Sequence, residues 1–408
     1  MNNKKILIVS HQFLPLSSPR TTRWKQIVDE LIGRGNEVTI LSGTAPDDSL
    51  KNYKVLFFGN KIITTTISNA RNASNQKSNN YFINLILNIA KVIYRLVFKL
   101  FSWPDYAMFW IFTVFKNRKN IDDNYDVIFS VSLPFTSHIC AHILNKRMNA
   151  EWIVDVGDPF TLKTSAYENN KFLYAYLNKY FENKIYKLCS KIIFTHKEAA
   201  EIHVKQFNID TEKIIIGLPV SISTLENVKK SNQFMYDSEP LNIGYFGVFT
   251  DKVREPDNYI KASKNFLLHN SIHHWFINSS SQKYFENLNI NDDLNIVNDF
   301  IPKDSALEIM ITKMHILLSI GNFNNIQLPS KTIEYISLGK PVIHFAEISS
   351  DPLYEIENKF KNLKIVNSRT SSEEFDEFLE FIRSGMHQID PDEFNKIFSP
   401  SAIINKLY

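Results

Sequence analysis

Several residue types that mark the commoner site chemistries are scarce in this sequence. Its 408 residues include only two cysteines, Cys140 and Cys189. Both lie in apolar stretches, so they make no disulfide framework, and their scarcity fits a reducing compartment. Glycine is almost as sparse, at 11 residues. No Walker-type phosphate loop and no GxGxxG fingerprint is present. CxxC and HExxH are absent too. His273-His274 precedes a predicted strand without further ligands nearby, and Asp390-Pro391-Asp392 follows no strand. Neither supports a metal site, so no metal or other cofactor is expected. No apolar run approaches the roughly 18 residues of a membrane-spanning helix. The opening MNNKKILIVSHQF has too short an apolar core for a signal peptide. The net charge of +3 comes with lysines spread along the chain, which argues against a nucleic-acid partner. A cytoplasmic location is the expectation.

What is present is ordinary globular composition, 44% hydrophobic and 22% charged, which excludes disorder. The length exceeds what one hydrophobic core supports, so two domains are predicted. Lys5 to Ser10 (KILIVS) is short, apolar and β-branched, as a buried parallel strand should be. A proline-containing loop leads to a helix with Trp24, Ile27, Val28, Leu31 and Ile32 on one face. Gly33 and Gly35 can end it, and Glu37 to Leu41 is the next strand. This βαβ unit opens a doubly wound α/β fold. The rhythm continues with strands at 126–131, 151–156, 191–195 and 213–219, and helices at 134–146, 171–190 and 198–207. A second series has strands at 242–246, 275–278, 295–297, 314–320, 341–345 and 363–366. The predicted division is a first α/β domain over 1–222, a polar linker over 223–240, a second α/β domain over 241–391, and one terminal helix over 392–408 that crosses back to the first domain.

Residues 81–119 break the βα rhythm. They are dense in aromatic and aliphatic residues, and Lys91, Arg95 and Lys99 recur at a spacing of four. Such a segment suits an anionic membrane surface, with basic groups at the phosphates and rings in the acyl boundary. A helical pair buried inside the domain is the alternative, and the two are compatible.

The densest local signal is Met314 to Phe345, MHILLSIGNFNNIQLPSKTIEYISLGKPVIHF. A strand ends at Ile320, a polar loop follows, and Pro329 fits the first turn of a helix that runs to Leu338. Ser330 and Lys331 then stand at a helix N-terminus just past a strand end, where unpaired N–H groups and the helix dipole favour an anion. Lys331 adds a charge for a phosphate. Glu334, one turn on, shares their face, and its carboxylate can accept two hydrogen bonds from a ribose diol. A plain crossover with surface Lys and Glu is the alternative.

The Pro-Ser-Lys turn, the Glu-Tyr helix and Gly-Lys-Pro-Val resemble the donor-binding motif of retaining glycosyltransferases of the GT-B fold, family 4. The strand, His11, Arg20 and the helix ending ELIGRGNEVTIL resemble the start of that family. The resemblance implies two Rossmann-like domains facing a cleft and a nucleotide-sugar donor. Glu334 matches the second glutamate of the family's pair, which holds the donor ribose. The first falls at Ile326, with Gln327 only a neighbour; the N–H groups of the 324–328 loop are candidates to replace its sugar contacts. Arg254 resembles the arginine on the donor diphosphate, and Lys252 or Lys331 the accompanying lysine. A histidine expected after the fourth strand is replaced by Ser132, and His138 lies in the following helix. Asp158, in DVGDP, is a candidate to orient the acceptor hydroxyl, or else a helix cap. His11 and Arg20, on the first loop, are candidates for contacts with the donor or acceptor and with the acceptor's phosphate.

What the resemblance implies chemically is same-face transfer, in which the leaving phosphate takes the acceptor's proton. Cations on the diphosphate lower the barrier, and no glycosidase-like carboxylate pair is needed. The expected acceptor is a lipid-linked glycan of bacterial surface polysaccharide, met at the inner face of the cell membrane. The alternatives are a nucleotide-sugar epimerase of the same fold and a non-catalytic nucleotide- or glycan-binding partner, for which Ile326 and Ser132 speak.

Overall fold

The computed structural model describes residues 3–16, 18–59, 98–163, 167–217, 240–266, 271–287 and 294–408. The 223–240 linker lies outside the described residues except for Pro240, as do 81–97, including Lys91 and Arg95. The chain divides into two compact units, Met1–Gly217 with Ile403–Tyr408, and Leu218–Ala402.

The first unit holds a seven-stranded parallel sheet in the order β3-β2-β1-β4-β5-β6-β7. Its strands are β1 (Lys5–Ser10), β2 (Glu37–Ser42), β3 (Lys54–Phe57), β4 (Val127–Val131), β5 (Glu151–Val156), β6 (Lys191–Phe194) and β7 (Ile214–Ile216). Its helices are α1 (Pro19–Gly33), α2 (Met108–Asn117), α3 (Thr136–Met148), α4 (Lys171–Leu188) and α5 (Lys197–Phe207). β3 carries no periodic signal of its own. It is four residues long, and its register against β2 defines it as a strand.

α1 forms where Ser18 and Thr21 make a reciprocal capping box and Pro19 pre-sets the first turn. Trp24, Ile27, Val28 and Leu31 are buried, and Trp24 meets Phe129 of β4 edge to face at 5.5 Å. Ile32, expected on the same face, is exposed; it follows Leu31 around the helix and turns past the edge of the apolar stripe. Beneath α1 lies a buried ion pair. Arg23 Nη1 donates to Asp155 Oδ1 at 2.9 Å and Oδ2 at 3.1 Å. Trp24 Nε1 donates to the same carboxylate at 2.8 Å, and Arg23 Nη2 to the Gly217 carbonyl at 3.3 Å.

The second unit holds a six-stranded parallel sheet in the order β10-β9-β8-β11-β12-β13. The strands are β8 (Leu241–Gly247), β9 (Ser271–Ile277), β10 (Asn295–Asp299), β11 (Ile316–Ile320), β12 (Val342–Phe345) and β13 (Leu363–Val366). Its helices are α6 (Asp257–Phe266), α7 (Ser279–Asn287), α8 (Lys303–Thr312), α9 (Ser330–Ser337), α10 (Tyr354–Glu357), α11 (Ser372–Arg383) and α12 (Pro391–Phe398). β11 sends Ile316, Leu318 and Ile320 into one core cluster and Leu317 into the other. Burial on both faces is why such strands read as continuous apolar runs.

The single helix expected over 392–408 is two, α12 and α13 (Pro400–Leu407). Pro400 disfavours helical backbone at Ser399, which is extended at ψ 158. Phe394 and Phe398 of α12 pack on Phe360 in the second unit. In α13, Ile403, Ile404 and Leu407 are buried, Lys406 Nζ donates to the Ile216 carbonyl at 2.9 Å, and the Tyr408 hydroxyl to Glu151 Oε2 at 3.0 Å.

The polar core makes two stability predictions. Asp155→Ala leaves the Arg23 charge and the Trp24 N–H buried without their carboxylate, so a loss of about 3–5 kcal/mol is expected in urea unfolding. His138 has its Nδ1 at 2.8 Å from Ser130 Oγ, which also accepts from Trp152 Nε1 at 2.9 Å. The indole can only donate, so the Ser130 hydroxyl donates to Nδ1. Burial holds His138 neutral, with its pKa pushed down to about 3. A depressed histidine pKa means the unfolded chain binds the proton first, so this contribution is whole above about pH 6.5 and is lost as pH falls toward 3. The stability advantage of wild type over His138→Asn should therefore shrink by about 3 kcal/mol between pH 7 and pH 4. A gap that stayed constant would contradict the burial argument.

Candidate functional site

In a doubly wound sheet the ligand crevice opens at the carboxyl ends of the strands where their order reverses. In the second unit that point lies between β8 and β11, which are neighbours although β9 follows β8 in sequence. The loops leaving these two strands are tied together there. Thr250 and Arg254 form an isolated bridge that closes the loop after β8. Arg254 Nη2 donates to Asn322 Oδ1 at 2.9 Å, Asn322 Nδ2 donates to the Gln327 carbonyl at 2.9 Å, and Phe323 N donates to the Val253 carbonyl at 2.8 Å. Asn322 is buried and uses both ends of its amide to position Arg254 and the loop carrying Gln327. The loop composition GNFNN gave no reason to single it out from its neighbours.

α9 begins at this edge, with Pro329 as its N-cap and Ser330 and Lys331 in its first turn. The end of the helix needs a left-handed residue, and Gly339 supplies it at φ 72. Lys331 Nζ donates to the Phe246 carbonyl at 2.6 Å, and the Tyr335 hydroxyl donates to the same oxygen at 3.1 Å. The lysine thus lies against the end of β8. Burial raises the Tyr335 pKa, with a smaller contribution from the Glu334 charge. Glu334 is half-buried one turn along the helix. Lys252 stands apart on the exposed turn, in left-handed backbone at φ 61, with its N–H on Glu255 Oε1 at 2.8 Å.

One expectation changes here. The N–H groups of Ile326 and Gln327 were candidates to replace the missing glutamate's contacts. Both donate instead to Asn324 Oδ1, each at 3.2 Å, because an asparagine two residues ahead closes a turn on its own backbone.

A buried polar chain braces α9 from below. His344 Nε2 lies 3.1 Å from Asp351 Oδ2, and its Nδ1 lies 3.1 Å from Ser319 Oγ. Ser319 Oγ is 2.6 Å from Thr332 Oγ1 in α9. With Asp351 as acceptor, His344 donates from Nε2, and the Ser319 hydroxyl links its Nδ1 to Thr332. Four elements contribute to this chain, so no local pattern marks it. Lys340, the lysine of GKPV, is wholly buried. Its Nζ donates to the Met314 carbonyl at 2.9 Å, and burial pushes its pKa down to about 7. It secures the entry to β11 and β12, at the other end of the strands from α9's first turn.

In the first unit the strand order reverses between β1 and β4. His11, past the end of β1, has its N–H on Ser137 Oγ at 3.2 Å, and its ring meets Tyr106 and Trp110 edge to face at 5.7 and 5.1 Å. Gly43 must be glycine, since a Cβ there would come within 2.4 Å of the His11 ring. Burial pushes the His11 pKa down to about 4, so the ring is neutral at physiological pH, and its buried Nδ1 makes no hydrogen bond among the described residues. Arg20 donates to the Leu133 carbonyl and pairs with Asp158 at 3.2 Å. Asp158 caps no helix: the next described helix, α4, starts at Lys171 and is capped by Asn170. Ser132, at the histidine-equivalent position, accepts from Gly157 N at 3.1 Å. His11, Ser132 and Asp158 thus lie on loops at the carboxyl edge of one sheet, while Arg20, expected on the first loop, stands in the first turn of α1, because the Ser18 cap and Pro19 start the helix before it.

The residues set aside on sequence grounds have structural partners. His273 meets the Tyr259 hydroxyl at 2.8 Å, His274 meets Asn242 Oδ1 at 3.1 Å, and Asp390 caps α12. Among the described residues no group of three or more His, Cys, Asp or Glu could hold a metal ion.

No protein-family model and no curated protein matches this sequence. Solved structures do match over the full length. Anabaena Alr3699/HepE in complex with UDP aligns with a TM-score of 0.61 and 12% identity, over 100% of this chain and 98% of that one. Sucrose-phosphate synthase from Thermosynechococcus elongatus aligns at 0.62 and 11%, over 100% and 97%. The lipopolysaccharide outer core galactosyltransferase WaaB aligns at 0.57 and 12%, over 99% of each chain. At such identities the likeness is one of fold: with its two parallel, doubly wound sheets, this chain has the GT-B fold of these glycosyltransferases.

Proposed function

We propose that this protein is a retaining glycosyltransferase of the family 4 type, moving a sugar from a nucleotide-sugar donor to a lipid-linked glycan in bacterial surface-polysaccharide assembly. The observation that carries the reading is that the β8/β11 reversal holds both cations at one sheet edge, Arg254 on Asn322 of the loop after β11 and Lys331, in the first turn of α9, on the Phe246 carbonyl at the end of β8. Two cations and a helix N-terminus suit a diphosphate, and Glu334 one turn on suits the ribose diol. HepE has been solved with UDP and with UDP-glucose, which favours a UDP-linked donor. As the glycosidic bond breaks, negative charge grows on the diphosphate, and preorganised cations there lower the barrier. The departing phosphate takes the acceptor's proton. Neutral His11 and the Arg20–Asp158 pair are assigned to the acceptor side.

The protein works, in this reading, on the inner face of the cell membrane. No helix among the described residues is long and apolar enough to cross a membrane. Within the 81–119 segment, α2 exposes Phe109, Phe112 and Phe115 next to Lys116 while burying Trp110 and Val114. Lys99 is not part of the basic face, since its Nζ donates to the Tyr167 carbonyl at 2.6 Å.

Thermal unfolding with UDP, GDP, dTDP, CMP and their sugar conjugates tests the donor site, because a ligand bound only by the native state raises its stability. One nucleotide family should raise the midpoint. Arg254→Ala, Lys331→Ala and Glu334→Ala should each weaken its binding by about 1.5–3 kcal/mol, or roughly ten- to a hundredfold in Kd. No shift with any nucleotide would refute the assignment. A second reading, a non-catalytic nucleotide-binding protein, is favoured by Ile326 and by the Asn324 turn that engages the neighbouring N–H groups. It predicts the same stabilisation with no sugar transferred or hydrolysed.

A further inference from the structure

The exposed aromatic surface of the first unit extends beyond the 81–119 segment, onto a helix far away in sequence. α4 leaves Phe172 95% and Tyr176 83% exposed, with Leu173 and Tyr180 also exposed. The helical turn 98–101 lies against its start: Asn170 N donates to the Lys99 carbonyl at 3.0 Å, and the Tyr174 hydroxyl to the Leu100 carbonyl at 2.7 Å. Trp103 Nε1 donates to Asn178 Oδ1 at 3.0 Å. These contacts run along the side of α4 that carries Tyr174 and Asn178, while Phe172, Leu173, Tyr176 and Tyr180 share the opposite, exposed face. Four apolar or aromatic side chains exposed on one helix face mark an interaction surface.

Charge identifies the partner. α4 has four lysines, Lys171, Lys179, Lys184 and Lys187, and one acid, Glu182. Glu182 is fully buried, accepting from Thr161 N at 3.2 Å and from the Tyr186 hydroxyl at 2.8 Å. Residues 98–120 repeat the arrangement, with four basic residues and a single acid, Asp105. Asp105 is also fully buried, accepting from Thr136 N at 2.9 Å and Thr136 Oγ1 at 2.7 Å. Neither segment therefore presents a carboxylate to solvent. Glu168, three residues before α4, is paired with Lys163 at 2.6 Å. Lys171 Nζ, 4.6 Å from the centre of the Tyr167 ring, also contacts that residue's hydroxyl.

The geometry points to the exposed face of α4 as a docking surface for an anionic lipid bilayer, with Phe172, Leu173 and Tyr176 entering the headgroup boundary and Lys171 and Lys179 reaching the phosphates. Exposed rings that bury in the acyl boundary, fringed by lysines without exposed acids, suit an anionic membrane. Tyrosine suits its wet edge. This surface deepens the membrane reading above and depends on it. α4 follows β5, so docking would hold the sheet edge bearing Asp158 close to an acceptor anchored in lipid.

Cosedimentation of the full chain with phosphatidylcholine vesicles, with and without phosphatidylglycerol, tests this. The wild type should bind only the anionic vesicles. Phe172→Ser/Tyr176→Ser and, separately, Lys171→Glu/Lys179→Glu should each lower that partitioning about tenfold or more, with the nucleotide-induced thermal shift unchanged as the check on folding. If wild type binds but both α4 variants bind equally well, α4 is not the dock. The α2 variant Phe109→Ser/Phe112→Ser then shows whether the membrane reading stands without it. No vesicle binding by the wild type overturns both membrane statements and leaves the donor site to its own test. A patch buried by concentration-dependent self-association, seen by light scattering and removed by the α4 variants, would make the partner a second copy and overturn the proposal.

Discussion

Every strand in both sheets runs parallel to its neighbours, and the rest of the structure follows from that constraint. Parallel strands need crossover connections, and running the same way they bring all strand C-termini to one edge of each sheet. Where the order reverses, at β1/β4 and at β8/β11, successive loops depart in opposite directions and leave room for a ligand. Arg254 and Lys331 lie 77 positions apart in sequence yet share the edge of one sheet because β8 and β11 are neighbours. The same logic brings His11, Ser132 and Asp158 to the edge of the other.

Loops at such an edge would be loose without support, and buried polar groups supply it. Asn322 bridges the two loops of the donor edge through both ends of its amide. The chain from Asp351 through His344 and Ser319 to Thr332 braces the first turn of α9 across two strands. In the first unit, Asp155 at the end of β5 receives Arg23 and Trp24 from α1, the helix that also carries Arg20. These networks cost desolvation, which the hydrogen bonds and ion pairs among their members offset. Each holds a loop residue by way of a group on a strand or helix, where position is well defined.

The αβ alternation was legible because buried parallel strands are short, apolar and β-branched, and the intervening helices keep one apolar face. Strands β1, β5 and β13 have the boundaries read from the sequence. β3 was not legible, since four residues carry too little pattern to register and their strand character comes from pairing with β2. The terminal helix was misread as one because Phe394 with Phe398 and Ile403 with Leu407 each keep helical spacing, while the break between them depends on Pro400. The first turn of α9 was read correctly from Pro329, Ser330 and Lys331. The destination of the Lys331 amine, on the Phe246 carbonyl, was not.

Sequence alone determined the class of fold, the polarity of the sheets and the position of α9, because those depend on periodicity and on local capping chemistry. It also carried the charges suited to a diphosphate. Tertiary structure decided which of those groups meet. It set Arg254 on Asn322, gave Asp158 an ion pair where a helix cap had been the alternative, and turned the Ile326 and Gln327 N–H groups onto Asn324. It also left Phe172 and Tyr176 exposed on one face of α4 while burying Asp105 and Glu182. The physical reason is the same in each case: a hydrogen bond or an exposed face belongs to groups that are close in space, and closeness between distant segments is fixed only when the sheet has assembled.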